Sequence, residues 1–542
     1  MHSPPADTAS TPSLSEAADP SVPVSRIGAA RPDGAHLAAV LRHAMAACSP
    51  RPDGVWLTLL LVLFAAVWLP HLAHSSLVPP TDNIEQLTWV RSLEWGYYKH
   101  PPLPTWVLWL PVQALGLSGA TTYVLGAIFA LAAMGVLWRF LAALRGPVHA
   151  TIAVLAALCI TYYNGRLYYY NHEVVLMPFA VASAALTWKA FCTRQSRWWL
   201  ALGVCLGLGG LAKYHIAVMA LAIIVFWGWQ RGWRDTSHRR GLLLAMVTAL
   251  ALVSPHLYWL WYNDLGPIRY AMESSLGLDL QGASRWSGSA RWLVDQLLNR
   301  ALPAWLFLLL ALWAFKRTAR PDPAHQPTAV VVDAGMSRSL LLCFGATPLV
   351  FTCALGLFVG ADLQLHWGAP FLLLAVPAAM ELGRWRRSWS AISLKSALKA
   401  FGLVQLLLLL WGQMISANGE VRWQRHHWRN FDAQGLADAV APAARIELGG
   451  PIRVVAGPPA EAGALALRLA EQPLVLLHGR FDISPWVDKK LADECGVLEL
   501  RRAAAPDVGY RSVGDNFPGL HWRVIAPASL SARCTGRPNV TH

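Results

Sequence analysis

Residues 77–111 read LVPPTDNIEQLTWVRSLEWGYYKHPPLPTWVLWLP, and they decide the fold because acids, bases and aromatics crowd together directly after a long apolar run. That run, Val55 to about His71, has the length and composition of a membrane span, and nothing ahead of it resembles a cleavable signal, so an uncleaved anchor is expected. Further apolar runs follow near 120–144, 148–163, 174–191, 198–212, 215–229, 241–262, 302–316, 338–360, 367–383 and 399–416. Together they predict a polytopic α-helical membrane protein with about eleven transmembrane helices, several of them short of the usual ~20 residues.

Composition agrees, since the chain is 55% hydrophobic and only 14% charged. A net charge of +14 would suit a nucleic-acid partner if it lay on a soluble face, but Lys and Arg sit in short clusters between apolar runs. Membrane topology accounts for them, and no nucleic acid is expected. Alternate loops carry the basic clusters: Arg139 and Arg145; Lys189, Arg194 and Arg197; Arg231, Arg234, Arg239 and Arg240; Lys316, Arg317 and Arg320; Arg384, Arg386, Arg387, Lys395 and Lys399. Basic loops accumulate on the cytoplasmic side, which puts the N-terminus inside and the 77–111 loop outside.

Three regions follow. Residues 1–50, rich in Ala, Pro and Ser, read as a disordered cytoplasmic tail, and 51–418 as the transmembrane domain. Residues 419–542 alternate short apolar stretches (IRVVAG, PLVLLHG, HWRVIAP) with helical patterns (FDAQGLADAVAPAARI, AEAGALALRLAEQ), predicting a small outer α/β domain. Cys495 and Cys534 share that domain and are candidates for a disulfide in an oxidising compartment. No Walker motif, dinucleotide-binding turn, CxxC or HExxH pattern is present. Any energy for chemistry must therefore arrive with the substrate.

The candidate residues lie in the outer loops. Asp82 and Glu85, three apart, share a helical face and are suited to ligating a hard cation or to presenting a base and a helper; the same spacing also fits a capping box opening a helix through Trp95. Lys99 and His100 stand before Pro101 and Pro102 on a stiff extended segment, which suits a phosphate. In YYNGRLYYYNHEVVLMP, the tyrosines fit an interfacial belt, but Arg166, Asn171, His172 and Glu173 fit recognition of a sugar beside aromatic faces. Lys213 and Tyr214 interrupt an apolar stretch, so Lys213 either snorkels to water or has a functional partner. His256, Asn263, Asp264, Asp362, Gln364, His366 and Trp367 complete the set on that face.

Taken in order, Asp82-x-x-x-Gln86, WGYYKHPPL (95–103), YYNHE-x-x-x-x-P (169–178), GLAKY (210–214) and LHWGAP (365–370) resemble the bacterial glycosyltransferase family 39-like group of the GT-C superfamily. The protein O-mannosyltransferases and the lipid A aminoarabinose transferase are its relatives. The resemblance runs from about Val55 to about Ser416. It implies an inverting hexosyl or uronosyl transferase of the bacterial inner membrane. The donor would be a polyprenyl-phosphate-linked sugar and the acceptor lipid A, core lipopolysaccharide, another envelope glycan or a protein. Asp82 would be the catalytic or cation-binding acid, with a divalent cation as the candidate cofactor, and Lys213 would lie near the carrier phosphate. The group commonly has Glu directly after that Asp, whereas this chain has Asn83 and places its acid at Glu85. A transporter or a non-catalytic lipid-handling envelope protein is the competing reading, although neither midplane coupling groups nor repeated halves are visible.

Overall fold

The computed structural model describes residues 52–318, 334–383, 388–414, 427–505, 507–527 and 534. The expected tail, residues 1–50, lies outside them. Six described helices are long and apolar enough to cross a bilayer: Gly54–His74, Gly119–Arg145, His172–Thr193, Thr236–Tyr262, Ala334–Val359 and Leu394–Gly412. A seventh span results if Ala283–Arg300 and Leu302–Phe315, bent by 45° at their junction, cross as one.

Every one of the eleven apolar runs falls on a helix, and among the described residues six or seven helices are long and apolar enough to cross a bilayer unaided. The runs near 148–163, 198–212, 215–229 and 367–383 form helices of 12, 17, 14 and 9 residues. At ~1.5 Å per residue these reach only about 14 to 26 Å, short of the ~30 Å hydrocarbon core. Protein surrounds the first of them: in Pro147–Leu158 every residue from His149 to Leu158 except Thr151 is buried, whereas Ile216–Trp229 leaves Ile224, Val225 and Trp229 exposed. A helix ending inside the bundle needs partners for its last carbonyls. The Leu158 carbonyl accepts from Asn164 Nδ2 (3.1 Å) and Gln405 Nε2 (3.2 Å), and Trp68 Nε1 holds Gln405 by its Oε1 (3.0 Å). By contrast, only 17% of the apolar window of Thr236–Tyr262 is buried by protein, so this helix presents most of its surface to lipid.

Close approach at small residues sets the packing where it matters for the site. A Cβ on Gly126 would stand 2.1 Å from the Tyr169 carbonyl, so the Gly119–Arg145 helix lies directly against the 162–171 segment. At the basic end of the bundle, Arg145 Nε meets Glu381 Oε1 at 2.6 Å and its Nη1 donates to Ser337 Oγ at 2.7 Å. Glu381 is fully buried. Glu381→Leu leaves the arginine charge uncompensated and is expected to destabilise the protein by about 3 kcal/mol. Thermal unfolding in detergent checks this, and an unchanged Tm would show that the pair contributes nothing.

The 427–534 region contains a five-stranded sheet of β1 (Val454–Gly457), β2 (Leu474–Leu477), β3 (Val497–Arg502), β4 (Arg511–Ser512) and β5 (Leu520–Ile525), in the order β2-β1-β3-β5-β4. β1 pairs in parallel with β2 and β3, while β5 runs antiparallel to β3 and β4. The expected stretches IRVVAG, PLVLLHG and HWRVIAP supply β1, β2 and β5, and the two expected helices are Ala433–Leu448 and Pro459–Arg468. Cys495 and Cys534 are disulfide-bonded. This region docks on the Thr81–Trp89 helix: Gly463 sits so close to Ile84 that a Cβ there would meet Ile84 Cγ2 at 2.2 Å. Arg91 Nη2 donates to the Gln472 carbonyl (3.0 Å), and Arg468 Nη2 to that of Leu77 (2.8 Å).

Candidate active site

The loop that begins at Leu77 folds into the helix Thr81–Trp89, a turn, and the helix Leu103–Leu115. The capping reading of Asp82 is incorrect. Pro80 (φ −51°, ψ 147°) is the residue before the helix, and the Ile84 amide already bonds the Pro80 carbonyl at 3.1 Å, so Asp82 lies inside the first turn. The helix also stops at Trp89 rather than continuing to Trp95. Released from capping, the exposed Asp82 accepts Asn171 Nδ2 at 2.9 Å. Asn171 itself caps His172–Thr193, its Oδ1 accepting from the Val174 amide at 3.0 Å.

Asn83 explains why an amide follows Asp82 here. It is fully buried; its Nδ2 donates to Thr122 Oγ1 (2.8 Å) and the Tyr168 carbonyl (2.9 Å), and its Oδ1 accepts from the Tyr170 amide (2.9 Å). A carboxylate cannot donate to a carbonyl, whereas an amide serves both sides. Asn83→Asp is expected to cost about 1–3 kcal/mol through the unmet carbonyl. Thermal unfolding measures it, and an unchanged midpoint would show the clamp to be dispensable.

Two buried ion pairs flank Asp82. Glu85 Oε1 meets Lys99 Nζ at 2.5 Å, and Glu173 meets Lys213 in direct contact. Burial raises the Glu85 carboxyl above its ordinary value, with Lys99 opposing and Asp82 reinforcing the shift. Burial acts against the Lys99 charge too, but the Glu85 carboxylate outweighs it and holds the ammonium above its usual range. Lys99 also lies 5.3 Å from the ring centres of both Tyr98 and Tyr270. Lys213, only 5% exposed, does not snorkel to water. It follows the Ser196–Ala212 helix in extended conformation and turns inward to Glu173. His366 Nε2 reaches the same Glu173 oxygen at 3.3 Å.

The remaining candidates divide by what they touch. His100 and His172 face each other at 4.0 Å between ring centres, and His172 Nε2 lies 3.3 Å from the Pro101 carbonyl. Burial, then His172 and the nearby lysines, push His100 well below its ordinary value, so it is neutral and serves to pack the turn. Arg166 lies between the Tyr162 and Tyr169 rings, 5.5 and 5.2 Å from their centres, within electrostatic reach of Asp82. Tyr214 contacts His256 Nε2 through its hydroxyl (2.8 Å), and His256 Nδ1 meets the Trp95 carbonyl (2.6 Å), so Tyr214 braces the 94–98 turn. Trp367 is buried edge-on against His215, 5.1 Å between ring centres, and acts as packing.

The His366 side chain stays 42% exposed, and the positions around it are fixed by Tyr162 and by two residues that the sequence did not mark, Trp292 and Gln296. Gln296 Nε2 donates to the Leu365 carbonyl (2.8 Å), Trp292 Nε1 to that of Gln364 (3.1 Å), and Tyr162 Oη also donates to Leu365. Gln296 lies in a π-helical turn, Asp295–Arg300, with a buried Asp295–Arg300 pair (3.1 Å) beneath it. Such turns often accompany function, but they leave no trace in composition. Burial lowers the His366 imidazole from its ordinary value, and Asp82, Arg166, Glu173 and Lys213 are all near enough for their charges to act on it. The four loops thus bring one acid, two lysine–carboxylate pairs, an arginine and a histidine to one end of the bundle.

A metal held by Asp82 is not supported by this donor set. Among the described residues no three His, Cys, Asp or Glu side chains converge as a metal site requires, and Glu85 and Glu173 are both committed to lysines.

Residues 99–259 match the family described as dolichyl-phosphate-mannose-protein mannosyltransferase. The chain is 26% identical over 249 residues to the lipid A galacturonosyltransferase RgtD of Rhizobium johnstonii, across 43% of this chain and 49% of that one. It is 24% identical over 326 residues to the lipopolysaccharide core galacturonosyltransferase RgtA of the same organism, across 58% and 62%. The matches thus span about half to three fifths of those relatives' length. Among solved structures it is similar to ArnT from Cupriavidus metallidurans bound to undecaprenyl phosphate, with a TM-score of 0.54 at 17% identity, covering 89% of this chain and 99% of ArnT. The same enzyme in its apo state gives a TM-score of 0.53. The family match is thus confined to residues 99–259, and the chain as a whole shares the fold of ArnT.

Proposed function

We propose that this protein is a membrane glycosyltransferase that moves a sugar from a polyprenyl-phosphate donor to a lipopolysaccharide or lipid A acceptor at the outer face of the bacterial inner membrane. The observation that carries the reading is the convergence of Asp82 with the Glu85–Lys99 and Glu173–Lys213–His366 groups at one end of a GT-C bundle. A transporter has no need of cations clustered at one surface, and among the described residues the midplane coupling groups it does need are not apparent. Arg139, Arg145, Lys189, Arg194 and Arg197 fall at the ends of helices away from this cluster, which supports a cytoplasmic N-terminus and a periplasmic 427–534 region.

The chemistry follows from the leaving group. As the bond from anomeric carbon to phosphate oxygen breaks, negative charge grows on the phosphate, and Lys213, Lys99 and Arg166 supply fixed positive charge for it. The acceptor hydroxyl attacks the anomeric carbon from the opposite face and its proton passes to Asp82. A double displacement would need a second carboxylate as nucleophile. Glu85 and Glu173 are both committed to lysines, which favours a single displacement with inversion.

A uronosyl donor is the better fit. The two similar proteins of Rhizobium johnstonii are both galacturonosyltransferases. Arg166 offers a guanidinium to a sugar carboxylate, a charge-assisted contact. The direct test is purified full-length protein in nanodiscs with undecaprenyl-phosphate-linked galacturonic acid and core lipopolysaccharide, with the product read by mass spectrometry. A mass gain of one uronosyl residue is expected, and an unmodified acceptor under these conditions, together with an unchanged envelope profile in a deletion strain, would sink the reading.

A further inference from the structure

A cavity of about 620 Å³ opens between the 94–98 turn, the 259–273 stretch and the 478–485 turn after β2. We infer that it seats the saccharide of a lipid-anchored acceptor, and that it takes a hydroxyl-rich or ammonium-bearing sugar carrying no phosphate at that point. The inference rests on the transferase reading above and adds the acceptor's place and chemistry to it.

Three observations carry it. The first is the wall. The rings of Tyr98, Trp259, Tyr262 and Tyr270 line the cavity, as sugar CH faces require, and carboxylates able to accept from hydroxyls stand among them. The second is charge. Glu94, Asp264, Glu273 and Asp482 face Arg269 and Arg480, four acids against two arginines, and Arg480 is already paired with Asp482. His478, also lining the cavity, is lowered from its ordinary value by burial and then by Lys99, which keeps it neutral. A cavity of this net sign repels a polyprenyl phosphate or a phosphorylated sugar and accepts a neutral or cationic one.

The third is depth in the membrane. The cavity lies at the outer end of Thr236–Tyr262, the helix left mostly to lipid, where Tyr258, Trp261 and Tyr262 are 73%, 78% and 79% exposed. Exposed Trp and Tyr at a helix end mark the headgroup level. An acceptor whose acyl chains lie along that helix therefore delivers its sugar into the cavity. The wall is shared with the catalytic cluster: Lys99 stacks on Tyr98 and Tyr270 and pairs with Glu85, which lies one turn from Asp82. The 478–485 turn forms the outer lip, giving the periplasmic region a part in acceptor binding.

Full-length protein in phosphatidylglycerol nanodiscs would be titrated with two probes: purified core-bearing lipopolysaccharide and undecaprenyl phosphate. The double variant Asp264→Lys/Glu273→Lys alters two exposed side chains, and matched thermal unfolding would show that the fold persists. It is expected to weaken lipopolysaccharide binding about tenfold or more and to leave undecaprenyl phosphate binding unchanged. Tyr262→Ala should act in the same direction. Equal lipopolysaccharide binding by variant and parent, a parent that does not bind it, or a comparable loss of undecaprenyl phosphate binding would each overturn the assignment. Binding needs no turnover, so the outcomes separate. If the parent transfers no sugar yet the variants lose lipopolysaccharide, the transferase reading fails and only a lipopolysaccharide-binding cavity stands.

Discussion

Asp82→Asn is expected to reduce sugar transfer by about 10²- to 10⁴-fold, the usual contribution of a positioned general base. The substitution is unusually clean at this position. Asn at 82 keeps an oxygen to accept Asn171 Nδ2, so the 2.9 Å link between the Thr81–Trp89 and His172–Thr193 helices survives. Asp82 is exposed and caps nothing, so its replacement should shift thermal unfolding by no more than about 0.5 kcal/mol. What is lost is the ability to take a proton. If Asp82 only oriented the acceptor, the amide would do nearly as well and most activity would remain. A loss in kcat at constant undecaprenyl phosphate affinity is the expected pattern, whereas parallel loss of both would mean that Asp82 acts in donor binding.

The sequence was legible where local pattern carried the answer. All eleven apolar runs became helices, and the alternation in the last hundred residues foretold β1, β2 and β5. β3 went unread because VLELRR alternates only in its first half and ends in two exposed arginines. Six or seven described helices are long and apolar enough to cross a bilayer unaided, and the shorter apolar runs have a physical reason of their own. Hydropathy registers an apolar environment, and in Pro147–Leu158 that environment is protein rather than lipid, since nearly all of its side chains are buried. The capping box failed because a pattern of Asp and Glu three apart says nothing about where the preceding prolines start the helix.

At the site, residue types were readable but their partners were not. Asp82, Lys99, Arg166 and Lys213 stood out as polar groups beside apolar runs, and all four reach the cluster around His366, Glu85 or Glu173. Nothing local links Lys213 to Glu173, which is forty residues earlier in sequence. His172, Tyr214 and Trp367 carried the same signal, and the structure places each against the protein: His172 at the Pro101 carbonyl, Tyr214 at His256 and Trp367 at His215. Gln296 was invisible, since a glutamine in an amphipathic stretch has no distinguishing context until its bond to Leu365 is seen.

Lys213→Met should produce the second large effect, and it separates two jobs done by one side chain. Removing the ammonium strands the buried Glu173 carboxylate, which costs about 3–5 kcal/mol for a broken buried pair. His366, 3.3 Å from the same oxygen, moderates that cost. If Lys213 also meets the donor phosphate, His366 remains beside Glu173 to hold its carboxylate. The double variant Lys213→Met/Glu173→Gln removes both charges and should restore unfolding to within about 1 kcal/mol of the parent, because a neutral pair carries no stranded ion. It should nevertheless bind undecaprenyl phosphate about tenfold or more weakly, the loss of one charge-assisted contact. Isothermal titration in nanodiscs beside thermal unfolding reads both quantities. Recovery of binding together with stability would show that Lys213 only holds the fold, and would leave Lys99 and Arg166 to meet the phosphate.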